Sequence, residues 1–170
     1  MAIKAEHVAT SRAAEARRRE QAQYWVYLDG EIKRYGDARL GIMTHALNYG
    51  TGVFEGIRGN WNPEQNQLYL FRMRDHFERL LQSARTLRIV IDESVDELCD
   101  ITLEVVRRSG FQEDVYIRPL AYKSSEEVGV RLHNLEDDLN IFVTPFGVIP
   151  PVISTFSRPS TSVTTSVGLW

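Results

Sequence analysis

Gln67-Leu68-Tyr69-Leu70-Phe71-Arg72-Met73-Arg74-Asp75-His76-Phe77-Glu78-Arg79-Leu80-Leu81 is where the hydrophobic period of this chain changes from strand to helix. Leu68 and Leu70 alternate with Tyr69 and Phe71, which reads as a strand over Gln67 to Arg72. Beyond it Phe77, Leu80, Leu81, Ala84 and Leu87 recur at helical spacing. Asp75, with Glu78 three residues on, has the form of an N-cap and capping box for that helix. Ser94 and Glu97 repeat the pattern. Val95, Leu98, Cys99, Thr102, Val105 and Val106 line a second helix that Gly110 stops.

Strands flank this helical pair on both sides. Tyr24 to Leu28 alternates, Asp29-Gly30 is a hairpin turn, and Glu31 to Tyr35 returns. Val53 to Arg58 reads as the partner of Gln67 to Arg72, with a loop beginning at Asn60-Trp61-Asn62-Pro63. Val115 to Ala121 and Leu139 to Thr144 are further strands. Strands, two helices, then strands is an α+β order, without the regular alternation of a doubly wound sheet.

The 170 residues allow one domain or two small ones, and a sizeable core. A net charge of −3 points to neither nucleic acid nor an anionic membrane as partner, and no stretch has the apolar length of a membrane span. Cys99 alone offers no disulfide or metal cluster, and it reads as a buried thiol. His7, His45, His76 and His133 lack metal-ligand spacing. The first residues have no signal-peptide core, so a cytoplasmic location is expected. Residues 1–23 form a charged extension, read as solvated and partly helical. Residues 149–170 form a tail with nine Ser/Thr and one charge between Pro151 and Trp170, which reads as outside any packed domain.

Three patches could carry chemistry. Thr44-His45-Ala46-Leu47-Asn48-Tyr49-Gly50-Thr51-Gly52-Val53-Phe54-Glu55-Gly56-Ile57-Arg58-Gly59 holds four glycines among aromatics and a cation. It is either a pocket wall or a glycine-rich loop entering a strand. Within it Phe54, Gly56 and Arg58 share a strand face, and a bare Gly beside Phe54 would leave room for an apolar group. Tyr116 and Arg118 share a face while Val115 and Ile117 turn to the core. A phenol beside a guanidinium makes a carboxylate receptor, and the alternative is an exposed face with an incidental Arg. Pro119 fits a sheet edge or strand end. Arg79, near a helix start, serves either an anion site or a surface ion pair with Asp75 or Glu78.

The run Thr44 to Gly59, the segment Phe71 to Leu80 and Val115-Tyr116-Ile117-Arg118-Pro119-Leu120 occur together in order and spacing. This closely resembles the N-terminal domain of branched-chain amino acid aminotransferases, pyridoxal-phosphate-dependent class IV enzymes of fold type IV. The resemblance covers Tyr24 to Phe146, and the small domain is expected over residues 24–148. It implies a two-layer α+β domain, an antiparallel sheet with two helices, whose larger C-terminal companion lies beyond the resemblance. D-amino acid aminotransferases and aminodeoxychorismate lyases look different opposite Gly50 to Arg58.

The resemblance also implies roles. Arg79 matches the arginine that binds the phosphate of pyridoxal 5′-phosphate. Tyr116 and Arg118 match the pair that recognises substrate carboxylates, including the distal carboxylate of glutamate. Phe54 and Gly56 match the wall of the pocket for the branched side chain. Tyr49 matches a tyrosine that reaches the partner subunit's active site in a homodimer or higher homo-oligomer. Substrates would be amino acids and 2-oxo acids, with Leu, Ile or Val donating the amino group to 2-oxoglutarate.

Transamination needs a lysine to form the Schiff base. None of Lys4, Lys33 and Lys123 matches the family's position, so no catalytic residue is assigned. The sequence departs from the family near Ile149-Pro150-Pro151. The expectation is a truncated or frame-shifted product that does not turn over alone. Other readings are a different class IV enzyme, or a non-catalytic module that binds amino acids or pairs with a full-length subunit.

Overall fold

A computed structural model of the protein describes residues 14–146. Lys4, most of the N-terminal extension and the Ser/Thr-rich tail beyond Ile149-Pro150-Pro151 lie outside the described residues. The described part of α1, residues 14–21, is helical and largely exposed.

Seven strands follow: β1 (Trp25–Leu28), β2 (Glu31–Arg34), β3 (Gly52–Phe54), β4 (Ile57–Asn62), β5 (Gln67–Leu70), β6 (Val115–Lys123) and β7 (Asp137–Pro145). The helices are α2 (His45–Tyr49), α3 (Met73–Thr86) and α4 (Val95–Ser109). The sheet runs β2-β1-β7-β6-β4-β5, with β3 paired to β6 beside β4. Every pairing between named strands is antiparallel. The α+β expectation holds.

Local chemistry accounts for most of these elements. Asp29 and Gly30 both take positive φ (54° and 71°), as a two-residue hairpin turn with the native twist requires. At α4 the Ser94 side chain accepts from the Glu97 N–H and the Glu97 carboxylate takes the Ser94 N–H, so the capping box forms. The equivalent expectation for Asp75 fails. α3 begins three residues earlier, at Met73, after Arg72 in the left-handed region (φ 47°) and without a side-chain cap. Asp75 lies in the first turn and pairs with Arg72 instead. The cause is the abrupt exit from β5: the Phe71 N–H still donates to the Arg58 carbonyl, at 3.0 Å. Only a tight reversal at Arg72 then turns the chain back over the sheet.

The loop after β4 also begins later than the sequence suggests. Asn60, Trp61 and Asn62 still pair with Tyr69, Leu68 and Gln67. The Asn62 side chain then accepts the N–H groups of Glu64 and Gln65, at 3.0 and 3.1 Å.

α3 and α4 cover one face of the sheet. Phe77, Leu80, Ala84, Leu98, Cys99 and Val105 meet Tyr27, Ile57, Val115, Ile117, Ala121, Ile141 and Val143 in one core. Each large apolar side chain buried there contributes about 1.5–3 kcal/mol before entropy is counted. Among the described residues no helix is long and apolar enough to cross a membrane. The opposite face of β6 and its neighbours stays partly open. Beside it lies a cleft of about 430 Å³, with Val26, Leu28, Tyr35, Leu120 and Phe142 in its lining.

Pro119 is not at a sheet edge or strand end. It lies in the middle of β6, opposite Ile141 on one side. The register Phe54↔Leu120 continues unbroken to Ile57↔Ile117, which sets Glu55 opposite Pro119 and Gly56 opposite Arg118. The Glu55 N–H donates to the Pro119 carbonyl, at 3.1 Å. Proline has no N–H to return the bond. The ladder lapses there, which is why one expected strand, Val53 to Arg58, appears as β3 and β4.

Candidate active site

The open face gathers four of the residues singled out in the sequence. Along β6 the odd positions Val115, Ile117 and Ala121 face the helices and are buried, so Tyr116 and Arg118 face away from them. Arg118 Nε–H donates to the Tyr116 hydroxyl, at 3.0 Å. Its guanidinium carbon lies 4.0 Å from the centre of the Phe54 ring. Stacking on an aromatic face and one hydrogen bond hold the fork while its remaining N–H groups stay available.

Gly56 lies under this pair. A Cβ there would be 2.6 Å from the Tyr116 hydroxyl and 3.0 Å from the nearest ring carbon. The room above the bare glycine is therefore occupied by the Tyr116 phenol and is not open space for a ligand. Arg58 extends the row. It pairs with Asp114 at 3.0 Å and lies over the Phe146 ring at 5.1 Å. Phe146 in turn stacks near Tyr116, with ring centres 6.1 Å apart. The Trp61 N–H bond and then the Arg58 bond hold the Asp114 carboxyl below its usual range.

Arg79 belongs to the other face. Its partner is neither Asp75 nor Glu78 but Glu55, the residue between Phe54 and Gly56, whose side chain turns to the helices. Arg79 Nε–H donates to Glu55 Oε1 at 3.0 Å and Nη2–H to Oε2 at 2.8 Å. His76 Nδ1 lies 2.8 Å from the same Oε2. Burial acts to raise the Glu55 carboxyl, but the Arg79 and His76 hydrogen bonds outweigh it and hold it below the usual range. The hydrogen bond to Glu55 pushes the Arg79 guanidinium up in turn.

Tyr49 is not brought into contact with either group. It ends α2 with its ring 4.6 Å from that of His45. His45 is buried, its Nδ1 at 2.8 Å from the Thr51 hydroxyl and its Nε2 at 2.6 Å from the Gly129 carbonyl.

The two described lysines are engaged elsewhere. Lys33 lies in the first hairpin, 3.2 Å from Asp29. Lys123 is buried at the end of β6 on the helix side, 2.7 Å from Asp137, and donates to the Arg88 carbonyl. The donor set therefore fits one end of pyridoxal phosphate: Arg79 makes no hydrogen bond through Nη1 among the described residues and offers that edge to a phosphate. Lys123 faces the helices, away from Tyr116 and Arg118, whereas the register Arg118↔Phe142↔Val26↔Lys33 puts Lys33 on their face but three strands away, on the edge strand β2.

Glu55, His76, Asp114 and Phe146 take part in these contacts, and residue patterns did not single them out. A signal existed for Glu55 alone. Strand alternation turns it away from Phe54 and Gly56 toward the helical layer, where a carboxylate needs a partner.

With this arrangement established, the chain belongs to the class IV aminotransferase family: the family model described as Amino-transferase class IV matches residues 52–161. The members it resembles are branched-chain enzymes. It is 40% identical over 123 residues to the probable branched-chain-amino-acid aminotransferase of Aquifex aeolicus, covering 72% of this chain and 40% of that one. The branched-chain aminotransferase of Thermoproteus uzoniensis, solved with norvaline, superposes with a TM-score of 0.68 at 43% identity, covering 73% of this chain and 41% of that one. The T.th. branched-chain amino acid aminotransferase complexed with 4-methylvaleric acid gives a TM-score of 0.66 at 32% identity, covering 73% and 41%. The fold is thus that of the N-terminal domain of these enzymes, and the chain spans about two-fifths of their length.

Proposed function

We propose that this chain is the substrate-recognising part of a branched-chain amino acid aminotransferase, moving the amino group of Leu, Ile or Val to 2-oxoglutarate. The observation that carries the reading is the Phe54–Arg118–Tyr116 arrangement seated on Gly56. Tyr116 and Arg118 bind the substrate carboxylate, including the distal carboxylate of the acceptor. Arg118 supplies charge-assisted donors whose orientation is set by the Tyr116 hydroxyl and the Phe54 ring. Phe54 and the Tyr116 ring over Gly56 offer the apolar surface for a branched side chain. Tyr49, half exposed at the end of α2, is available to a second subunit in a homodimer or higher homo-oligomer.

Arg79 would hold the phosphate of pyridoxal 5′-phosphate, which when bound supplies the electron sink that amino-group transfer depends on. The described residues contribute binding and orientation. Lys123 is held in an ion pair on the helix side and Lys33 in one at the far edge of the sheet, three strands from Arg118, which supports the reading that these residues alone do not complete the reaction.

The test is direct binding of 4-methylvalerate to the purified protein by calorimetry. Arg118→Leu is expected to weaken it by roughly 10- to 100-fold, the worth of a charge-assisted hydrogen bond. Equal binding by wild type and Arg118→Leu would remove the carboxylate receptor and, with it, the proposal.

A further inference from the structure

Glu55, His76 and Arg79 meet where the ladder between β3 and β6 lapses at Pro119. Both oxygens of the Glu55 carboxylate are engaged there, Oε1 by Arg79 Nε–H and Oε2 by Arg79 Nη2–H, with His76 Nδ1 beside Oε2. The Glu55 side chain is 17% exposed while that of Arg79 is 55% exposed. The carboxylate is thus the buried member of the pair and the guanidinium the solvent-facing one held against it. Two of the three guanidinium nitrogens are tied from the protein side. Nη1, without a hydrogen bond among the described residues, is the edge left for an external anion.

We propose that Glu55 is a positioning residue: it clamps Arg79 in one fork orientation so that the Nη1 edge meets the phosphate of the bound cofactor. This rests on the reading of Arg79 as the phosphate contact. A carboxylate beside an anion site lowers the attraction of the site by its charge. The clamp acts the other way, because an exposed arginine would otherwise lose its rotamer freedom on binding the anion. His76 Nδ1 lies within hydrogen-bond distance of both members of the pair, 2.8 Å from Glu55 Oε2 and 2.9 Å from Arg79 Nη2, so it packs against the clamp in either tautomer. The two effects of Glu55 have opposite signs, so its removal distinguishes them. A residue that acts only as counter-charge tightens anion binding when it is neutralised. A clamp weakens it.

The experiment uses the purified protein with ¹⁵N-labelled arginine and inorganic phosphate as the probe. Guanidinium NMR signals are followed in wild type, Glu55→Gln and Arg79→Gln, and amide spectra show that each is folded. In wild type, phosphate is expected to shift the Arg79 Nη signals in a saturable way and leave Nε–H in place. Glu55→Gln is expected to bind phosphate roughly 10-fold more weakly, the scale of one charge-assisted bond, with faster rotation about Nε–Cζ. Unchanged or tighter binding in Glu55→Gln overturns the clamp and leaves Arg79 as the phosphate contact. A phosphate affinity indifferent to Arg79→Gln, or no response at Arg79 in wild type, overturns the reading of Arg79 and the clamp with it. If Glu55→Gln does not fold, Glu55→Asp keeps the charge but shortens the reach. It is expected to weaken phosphate binding in the same direction, and wild-type affinity in it overturns the proposal.

Discussion

Gly56 shows how little a single residue needs to contain to matter. Its missing side chain is the space in which the Tyr116 phenol lies, and that phenol sets the orientation of Arg118. Gly56→Ala places a methyl group 2.6 Å from the Tyr116 hydroxyl, closer than real Cβ contacts come. The ring must swing away or the strand must shift, at a cost of about 1–3 kcal/mol. The expected outcome is a lower midpoint in urea, together with loss of 4-methylvalerate binding out of proportion to the loss of stability. A variant that melts lower yet binds the acid as well as wild type would separate Gly56 from the receptor.

Helices and strands here owe their limits to different causes. α4 is capped by its own side chains, so its start was legible in Ser94 and Glu97. Ser94→Ala should lower unfolding free energy by about 0.5–2 kcal/mol in equilibrium denaturation, with an unchanged urea dependence. α3 starts where the chain leaves β5 and must reverse, and no side-chain pattern encodes that exit. The same contrast holds in the sheet. The turn at Asp29-Gly30 was legible because only a few residue types adopt its backbone. The division of β3 from β4 was not, because it is imposed from across the sheet by Pro119.

For the protein in its entirety, the response to acid is the sum of carboxylates shifted in opposite directions. Glu55, Glu97, Glu104 and Asp114 are all held below their usual values. Each contributes stability that is complete above its unfolded-state pKa and is lost as pH falls through its folded one. Asp138 runs the other way, since burial raises its carboxyl despite the hydrogen bond from Tyr122. It takes up a proton more readily in the folded protein, so it offsets part of the loss. Stability is therefore expected to fall as pH drops below about 4.5, the ordinary glutamate value. The fall should be steeper in Asp138→Asn, which removes the opposing group. Denaturation curves of the two proteins between neutral pH and the acid range check this, and parallel curves would contradict it.

The α+β order, the first hairpin, the capped helix and the faces of β6 were all present in the residues, because each depends on periodicity or on the backbone demands of a few neighbours. Tyr116 with Arg118, and Phe54 with Gly56, were readable for the same reason: alternation assigns them to a face before any fold is known. Contacts between elements distant in the sequence had to await the folded chain. Nothing local tells Gly56 that its empty space will hold Tyr116, or Arg79 that its partner is Glu55 on another strand and not its helical neighbours Asp75 or Glu78. Those pairings depend on which strands lie side by side and on the ladder lapsing at Pro119. They are decided by packing and by the need to satisfy a half-buried carboxylate.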